Sequence, residues 1–325
     1  MNFIRSHPHV AFLLGAASLL SAAAARADAI TDCNVTAGQS VTDGKLGPAP
    51  AARAVAIVHA AAYEAANAIT KRYPASTLKL EGAGGASVDA AVATACHATL
   101  AKLVPSQQGA IDGSYQAALS KIANGDAKAK GLALGERAAA AVLASRSDDG
   151  ATTAEVYRPY ASAGTYVPTV LPAASMWPQR KPWLMTSAAQ FRPGPPPALT
   201  SPTWARDYNE VKAFGSKTST GRSAEQTEIA GFWEATLHPI YGGLVRSVAG
   251  VPGREVTRNA RLFVAATQAM DDALIAVFDA KYHYNFWRPV TAIRNGDVDG
   301  NDATEREPSW APFCKRRLAT ALCRP

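Results

Sequence analysis

The residues most able to do chemistry lie near the end of the 325-residue chain, at Lys281 and Arg288. They are seven positions apart, so a helix would place both cations on one face, about 10 Å apart along its axis. Pro289 disfavours helical geometry at the preceding residue, so we expect the chain to unwind at Arg288 and the two side chains to converge. An ammonium beside a guanidinium fork can clamp a tetrahedral or trigonal oxyanion.

Spacing alone leaves a second interpretation open. Cations are favoured at the C-terminal end of any helix, where the helix dipole is negative. By that interpretation, Lys281 and Arg288 are solvated side chains at a helix end and bind no ligand.

A polar motif that follows, Asn-Gly-Asp-Val-Asp-Gly at 295–300, imitates the start of a calcium-binding loop. Acidic or amide groups stand at alternate positions and a glycine at the sixth, as in such loops. The twelfth position, which needs a bidentate glutamate, is Arg306. We therefore expect a polar turn here and no calcium.

The elements that must position these motifs are alanine-rich helices. In residues 51–69 the apolar positions recur at helical spacing, which predicts an amphipathic helix whose small side chains let neighbouring helices approach closely. Similar patterns predict helices over residues 88–103, 107–123 and 127–145, with Pro, Gly or Asn-Gly at the breaks.

A change of character follows at residues 157–202, which contain ten prolines and predict an ordered, extended loop laid over the helical body. Helices resume beyond it. Ser223 and Gln226 form a capping box at the start of one, and a longer helix is predicted from about Arg254 to Lys281. Strand-like alternation is scarce, so the sequence predicts an all-α bundle of six or more helices.

The segment around Lys281 also resembles a known family. Lys, six residues and Arg-Pro form the first signature of the type-2 phosphatidic acid phosphatase superfamily. The fuller string at 279–294, Asp-Ala-Lys-Tyr-His-Tyr-Asn-Phe-Trp-Arg-Pro-Val-Thr-Ala-Ile-Arg, resembles the bacterial vanadium-dependent haloperoxidase branch. The resemblance extends to segments 59–67, 207–212 and 225–233 and covers roughly residues 42–310.

This resemblance implies an all-α, multi-helix bundle of the vanadium chloroperoxidase and acid phosphatase type. It implies that Lys281 and Arg288 bind oxygens of vanadate, or of the isosteric phosphate. Peroxide and halide would be the substrates of a haloperoxidase, and a phosphate monoester the substrate of an acid phosphatase. The first signature does not separate these two activities.

The family's other two signatures supply its catalytic histidines, and neither occurs in this sequence. No catalytic residue is therefore assigned, and a non-enzymatic oxyanion-binding remnant is a third alternative. His59 and His97 lie on alanine-rich helices and are expected to be satisfied core residues. His238 is a candidate for contact with the residues that bind the oxyanion. His283 is too close to Lys281 in sequence to be a ligand on the opposite side of the oxyanion.

The first 27 residues resemble a secretory signal peptide, with Arg5 near the start, an apolar run and small residues before Asp28. We expect export to the periplasm or the outside of the cell. No later stretch approaches the roughly 20 apolar residues that a spanning helix needs. The formal charge of +7 is concentrated in the leader and the tail, and the body holds 27 basic and 26 acidic residues, which argues against a nucleic-acid partner.

The four cysteines fit no zinc spacing, and export would permit a Cys33–Cys96 disulfide without requiring one. Residues 28–310 are interpreted as the helical haloperoxidase-like domain, incomplete at its C-terminus. Residues 311–325 form an aberrant basic tail that departs abruptly from the resemblance, and a frameshift is our hypothesis for it.

Overall fold

The architecture is all-α in the part of the chain that the computed structural model describes, residues 28–168, 172, 174–233 and 237–313. These residues hold ten α-helices and no strand beyond two isolated bridges. The helices are α1 Ala29–Asp43, α2 Pro48–Thr70, α3 Val88–Leu103, α4 Gln108–Ser120, α5 Asp126–Ser145, α6 Pro202–Phe214, α7 Ala224–Trp233, α8 Leu237–Ala249, α9 Val256–Tyr284 and α10 Pro289–Arg294. The expected leader and the end of the tail, residues 1–27 and 314–325, lie outside the described residues.

The alanine-rich helices form the core around α2, which packs against α3, α5 and α9. Close approach depends on small residues. A Cβ at Gly135 of α5 would lie 2.5 Å from the carbonyl oxygen of Ala91 in α3, so a larger residue there would force the two helices apart. The predicted helices over 51–69, 88–103, 107–123 and 127–145 are confirmed to within a few residues at each end.

The capping box at the start of α7 is confirmed in both directions. The Gln226 amide N–H donates to Ser223 Oγ at 3.1 Å, and the Ser223 amide N–H donates to Gln226 Oε1 at 2.9 Å. The longer helix predicted from about Arg254 to Lys281 is confirmed in the same way: α9 begins at Val256 and continues to Tyr284, one turn beyond Lys281.

The described residues of the proline-rich segment follow a path along α9, with a single 3₁₀ turn at Trp177–Gln179. Buried charges attach it. Arg180 donates to Asp271 of α9 at 2.7 Å and to Asp149 at 2.9 Å, and the three side chains are at most 1% exposed. Asp272 accepts the backbone N–H groups of three consecutive residues, Trp183, Leu184 and Met185. This segment therefore forms a fixed wall beside the C-terminal half of α9.

Candidate oxyanion site at the end of α9

Lys281 lies in the last turn of α9 and is surrounded by aromatic rings. Its Nζ is 4.9 Å from the ring centre of Tyr166, 4.7 Å from that of Tyr282 and 5.5 Å from that of Phe278. Tyr282 also offers its hydroxyl oxygen at 3.4 Å. Among the described residues, no carboxylate lies within salt-bridge distance of the ammonium, and its favourable contacts are with the aromatic rings.

Burial lowers the pKa of Lys281 to about 8, and the neighbouring Arg288 guanidinium acts in the same direction. Both causes disfavour the charged amine. A bound anion would counteract both causes, since it would bring an opposite charge to the ammonium.

Arg288 reaches the same place because the chain unwinds after α9. Asn285 adopts the left-handed conformation at φ 46°, ψ 40° and ends the helix, and its N–H donates to the Lys281 carbonyl at 3.0 Å. Arg288 is extended at φ −81°, ψ 156° and immediately precedes α10, which begins with Pro289. The predicted unwinding at Arg288 is confirmed, and both cations line one cavity.

A short pairing between two loops fixes Tyr166 beside both cations. The Tyr166 N–H donates to the Asn285 carbonyl at 2.7 Å, and the Trp287 N–H donates to the Gly164 carbonyl at 2.9 Å. Tyr166 is only 3% exposed. Its ring centre lies 5.4 Å from Arg288 Cζ as well as 4.9 Å from Lys281 Nζ. One aromatic ring therefore attracts both cations and offsets part of their mutual repulsion.

Two more tyrosines complete the aromatic cluster. The Tyr157 hydroxyl donates to Asn285 Oδ1 at 2.7 Å, and its ring meets that of Tyr282 edge-on. Burial raises the pKa of both phenols, so they remain uncharged donors at neutral pH. Sequence reasoning missed Tyr157 and Tyr166. The only feature of the sequence that could have indicated them is the presence of aromatic residues in the proline-rich segment.

The cavity has a volume of about 800 Å³ and mostly apolar walls. Its charged lining residues, within the described chain, are Lys281, Arg288 and Glu155. The Glu155 carboxylate accepts the N–H groups of Tyr157 at 3.3 Å and Ser175 at 3.2 Å. The cavity can therefore bind an anion at the two cations and an apolar group elsewhere.

None of the histidines with described side chains lines this cavity. His59 is fully buried, shares a hydrogen bond of 2.9 Å with Asn34 and stacks on Phe263, which confirms its expected core role. His97 pairs with Asp112 at 2.7 Å, and His283 is exposed near Arg192. His238 belongs to α8, and its side chain is outside the described part.

The calcium-like motif forms a turn whose carboxylates contact protein groups. Asp299 accepts the Trp204 indole N–H at 2.8 Å and the Thr304 hydroxyl at 2.8 Å, and Asp297 pairs with Arg306 at 3.2 Å. Within the described chain, no cluster of three or more His, Cys, Asp or Glu side chains is arranged to hold a metal ion. No described helix is long and apolar enough to cross a bilayer.

Comparison with known proteins gives matches in sequence and in structure. Residues 261–321 match the family model "VCPO second helical-bundle domain". No curated protein sequence matches the chain. A bacterial vanadium-dependent iodoperoxidase superposes with a TM-score of 0.67 at 21% identity, over 83% of this chain and 72% of that one. The holo form of a bacterial vanadium-dependent chloroperoxidase gives 0.61 at 18%, over 80% and 67%, and its apo-type structure gives 0.60 at 16%, over 77% and 66%.

Proposed function

We propose an oxyanion-binding function for this chain. The chain has the fold of the vanadium haloperoxidases and matches their second helical bundle in sequence, and both findings support that branch of the superfamily. Lys281 and Arg288 would hold oxygens of vanadate, as the oxyanion-binding part of a haloperoxidase site. The observation that carries the proposal is the convergence of both cations on one cavity, with Tyr166 in contact with each.

The donors suit this ligand. Arg288 offers a planar fork of N–H groups that matches two oxygens at once, and Lys281 adds a point charge. Bound vanadate would supply the activation of peroxide for halide oxidation. This chain's residues would bind and orient the oxyanion, while the apolar walls would reduce its access to water. Phosphate presents the same tetrahedral oxygens and should occupy the same donors.

One observation favours a second candidate function, oxyanion binding without catalysis. Both halide oxidation in this branch and phosphoryl transfer in the related acid phosphatases need an imidazole at the site, and no described histidine side chain lines the cavity. Oxyanion binding must therefore be measured separately from peroxide-dependent halide oxidation and from phosphate monoester hydrolysis.

Binding is tested by titration calorimetry with orthovanadate and with inorganic phosphate. Arg288→Ala should weaken both affinities by roughly 10- to 100-fold, the range expected for losing hydrogen bonds to a charged group. Tyr166→Ala should weaken them as well, whereas Tyr166→Phe should retain them because the ring face contacts the cations. Arg206→Ala is the matched control, since that guanidinium is 71% exposed and does not line the cavity. Equal affinities for Arg288→Ala and Arg206→Ala would refute the proposal.

Catalysis is tested on the same wild-type protein. Halide-dependent peroxidation with added vanadate would identify a haloperoxidase, and hydrolysis of a phosphate monoester without vanadate would identify a phosphatase. Retained binding with neither activity would select the non-enzymatic function.

A further inference from the structure

The face of α9 that leads to Lys281 is an apolar stripe. Leu274, Val277 and Phe278 stand seven, four and three residues before Lys281, so all four lie on one side of the helix, and all four line the cavity. From Leu274 to Lys281 the stripe extends about 10 Å along the axis. Val277 is 56% exposed although it is aliphatic, so the stripe presents apolar surface to the cavity.

The facing walls are also apolar and come from separate parts of the fold. Trp177 and Met176 of the proline-rich segment line one side, and Val290 and Trp310 line another. Trp177 belongs to a buried cluster with Leu274, whereas Val290 and Trp310 belong to a different cluster with Trp204. The cavity therefore lies between two packed clusters and is not a gap within one of them.

An inorganic oxyanion would occupy only a small part of this space. Ligand cavities of roughly 300–1,000 Å³ accept molecules of drug size, and this cavity of about 800 Å³ is within that range. Its charged lining in the described chain consists of two cations and Glu155, whose carboxylate accepts two backbone N–H groups. Charge and shape together favour a ligand with one anionic end and an extended apolar body.

We propose that the cavity binds an organic anion whose apolar body lies along Leu274, Val277 and Phe278 and whose anionic group contacts Lys281 and Arg288. This inference rests on the proposed oxyanion function and adds to it the class of ligand. Apolar area removed from water at the stripe would add to the affinity that the anionic group supplies at the cations.

The probe is 1-naphthylmethylphosphonate, compared by calorimetry with methylphosphonate and with neutral 1-naphthylmethanol. The phosphonate carbon–phosphorus bond resists hydrolysis, so binding is measured even if the chain is a phosphatase. Wild-type protein should bind the naphthyl phosphonate at least tenfold more tightly than either comparison compound.

Two matched variants locate the apolar contribution. Val277→Asn should reduce the advantage of naphthyl over methyl to less than threefold while leaving methylphosphonate affinity unchanged. Val35→Asn is the control, because Val35 is 53% exposed on α1 and lies outside the cavity, and it should keep the full advantage. Circular dichroism and thermal melting of both variants verify that each is folded.

The outcomes separate this inference from the proposed function. If vanadate and methylphosphonate bind through Arg288 but the naphthyl group adds less than threefold, the organic-ligand inference is wrong and the oxyanion function stands. The organic-ligand inference is also wrong if Val277→Asn leaves the naphthyl advantage intact, or if naphthylmethanol binds as tightly as the phosphonate. If no anion binds the wild-type protein, both proposals fail.

Discussion

The amine of Lys281 has a fixed position and a pKa below that of an ordinary lysine. Tyr166, Tyr282 and Phe278 hold the amine within a cavity, and burial with the adjacent Arg288 lowers its pKa to about 8. The amine is charged below that value and becomes neutral as pH rises through it. An oxyanion site that depends on this ammonium should therefore weaken above about pH 8.

Sulfate titrations test this dependence, because sulfate keeps its charge of −2 across the range. The sulfate affinity of the wild-type protein should fall by up to about tenfold between pH 7 and pH 9, because Lys281 of the unliganded protein loses its proton over this range. Binding should also take up protons above pH 8, since the bound anion favours the ammonium. Calorimetry in buffers of different ionisation enthalpy measures that uptake.

Lys281→Arg provides the control, because a guanidinium does not titrate in this range. Its sulfate affinity should be flat from pH 7 to pH 9. A wild-type profile equally flat would show that Lys281 either does not contact the anion or titrates at its ordinary, higher pKa.

The two cations and their convergence could be predicted from sequence, but the aromatic ring that contacts both could not. Lys281, Arg288 and Pro289 are close in sequence, so spacing and the restriction before proline predict convergence. Tyr166 comes from a distant, proline-rich loop. Its contact with both cations depends on the hydrogen bonds from Tyr166 to Asn285 and from Trp287 to Gly164, which no local periodicity encodes.

At the scale of elements, the proline-rich segment is attached to α9 through the buried Arg180. Its guanidinium bridges Asp149 and Asp271, and the three charges are removed from water together. Such a group contributes little relative to apolar residues of the same shape, but removing one member strands the others. Arg180→Met would leave the buried Asp271 without its charged partner, whereas Asp149 would keep Arg53 at 2.8 Å.

We therefore expect Arg180→Met to lower the free energy of unfolding by about 3–5 kcal/mol. Urea denaturation followed by circular dichroism gives the value. Arg192→Met is the matched control, since Arg192 pairs with Asp279 on the same helix but is 27% exposed. Removal of the Arg192 side chain would open the 10% exposed Asp279 to water, so this variant should lose much less stability than Arg180→Met. Equal losses for the two variants would show that burial of the Arg180 network adds nothing.

Periodicity identified helices where alanine-rich faces were long, and it missed those set by tertiary packing. The α1 segment contains Thr, Asn and Val residues of modest helix propensity, yet Ile30, Cys33, Ala37 and Val41 share its buried face. Burial of that face against α2 and α3 outweighs the weak local preference. The short α10 depends on Pro289 and on the buried Val290 and Ile293, which a six-residue pattern cannot reveal.

At the scale of the whole molecule, a disulfide joins the first described helix to the core. Cys33 of α1 bonds to Cys96 of α3; the two Cα atoms are 6.0 Å apart, and the residues are 63 positions apart in sequence. The sequence permitted this pairing and did not require it. Disulfides persist in oxidising compartments, so the bond agrees with the export that the first 27 residues predict.

Loss of this cross-link should lower the free energy of unfolding by about 4 kcal/mol, mainly because the unfolded chain gains the freedom of a 63-residue loop. Urea denaturation should place wild-type protein with reductant close to the double variant Cys33→Ala/Cys96→Ala without it. Both should bind sulfate normally when folded, because neither cysteine lines the Lys281 cavity.

The response of the double variant to reductant then shows which cysteine pair stabilises the protein. Cys314 and Cys323 remain in that variant, so a stabilising bond elsewhere would still make it sensitive to reductant. We expect the double variant to be insensitive to reductant, because the bond between α1 and α3 is the one that restricts the unfolded chain. If reductant destabilises the double variant as much as the wild-type chain, the stability assigned to Cys33–Cys96 belongs to another pair. If it destabilises neither, the α1–α3 contacts alone hold the N-terminal helix in place.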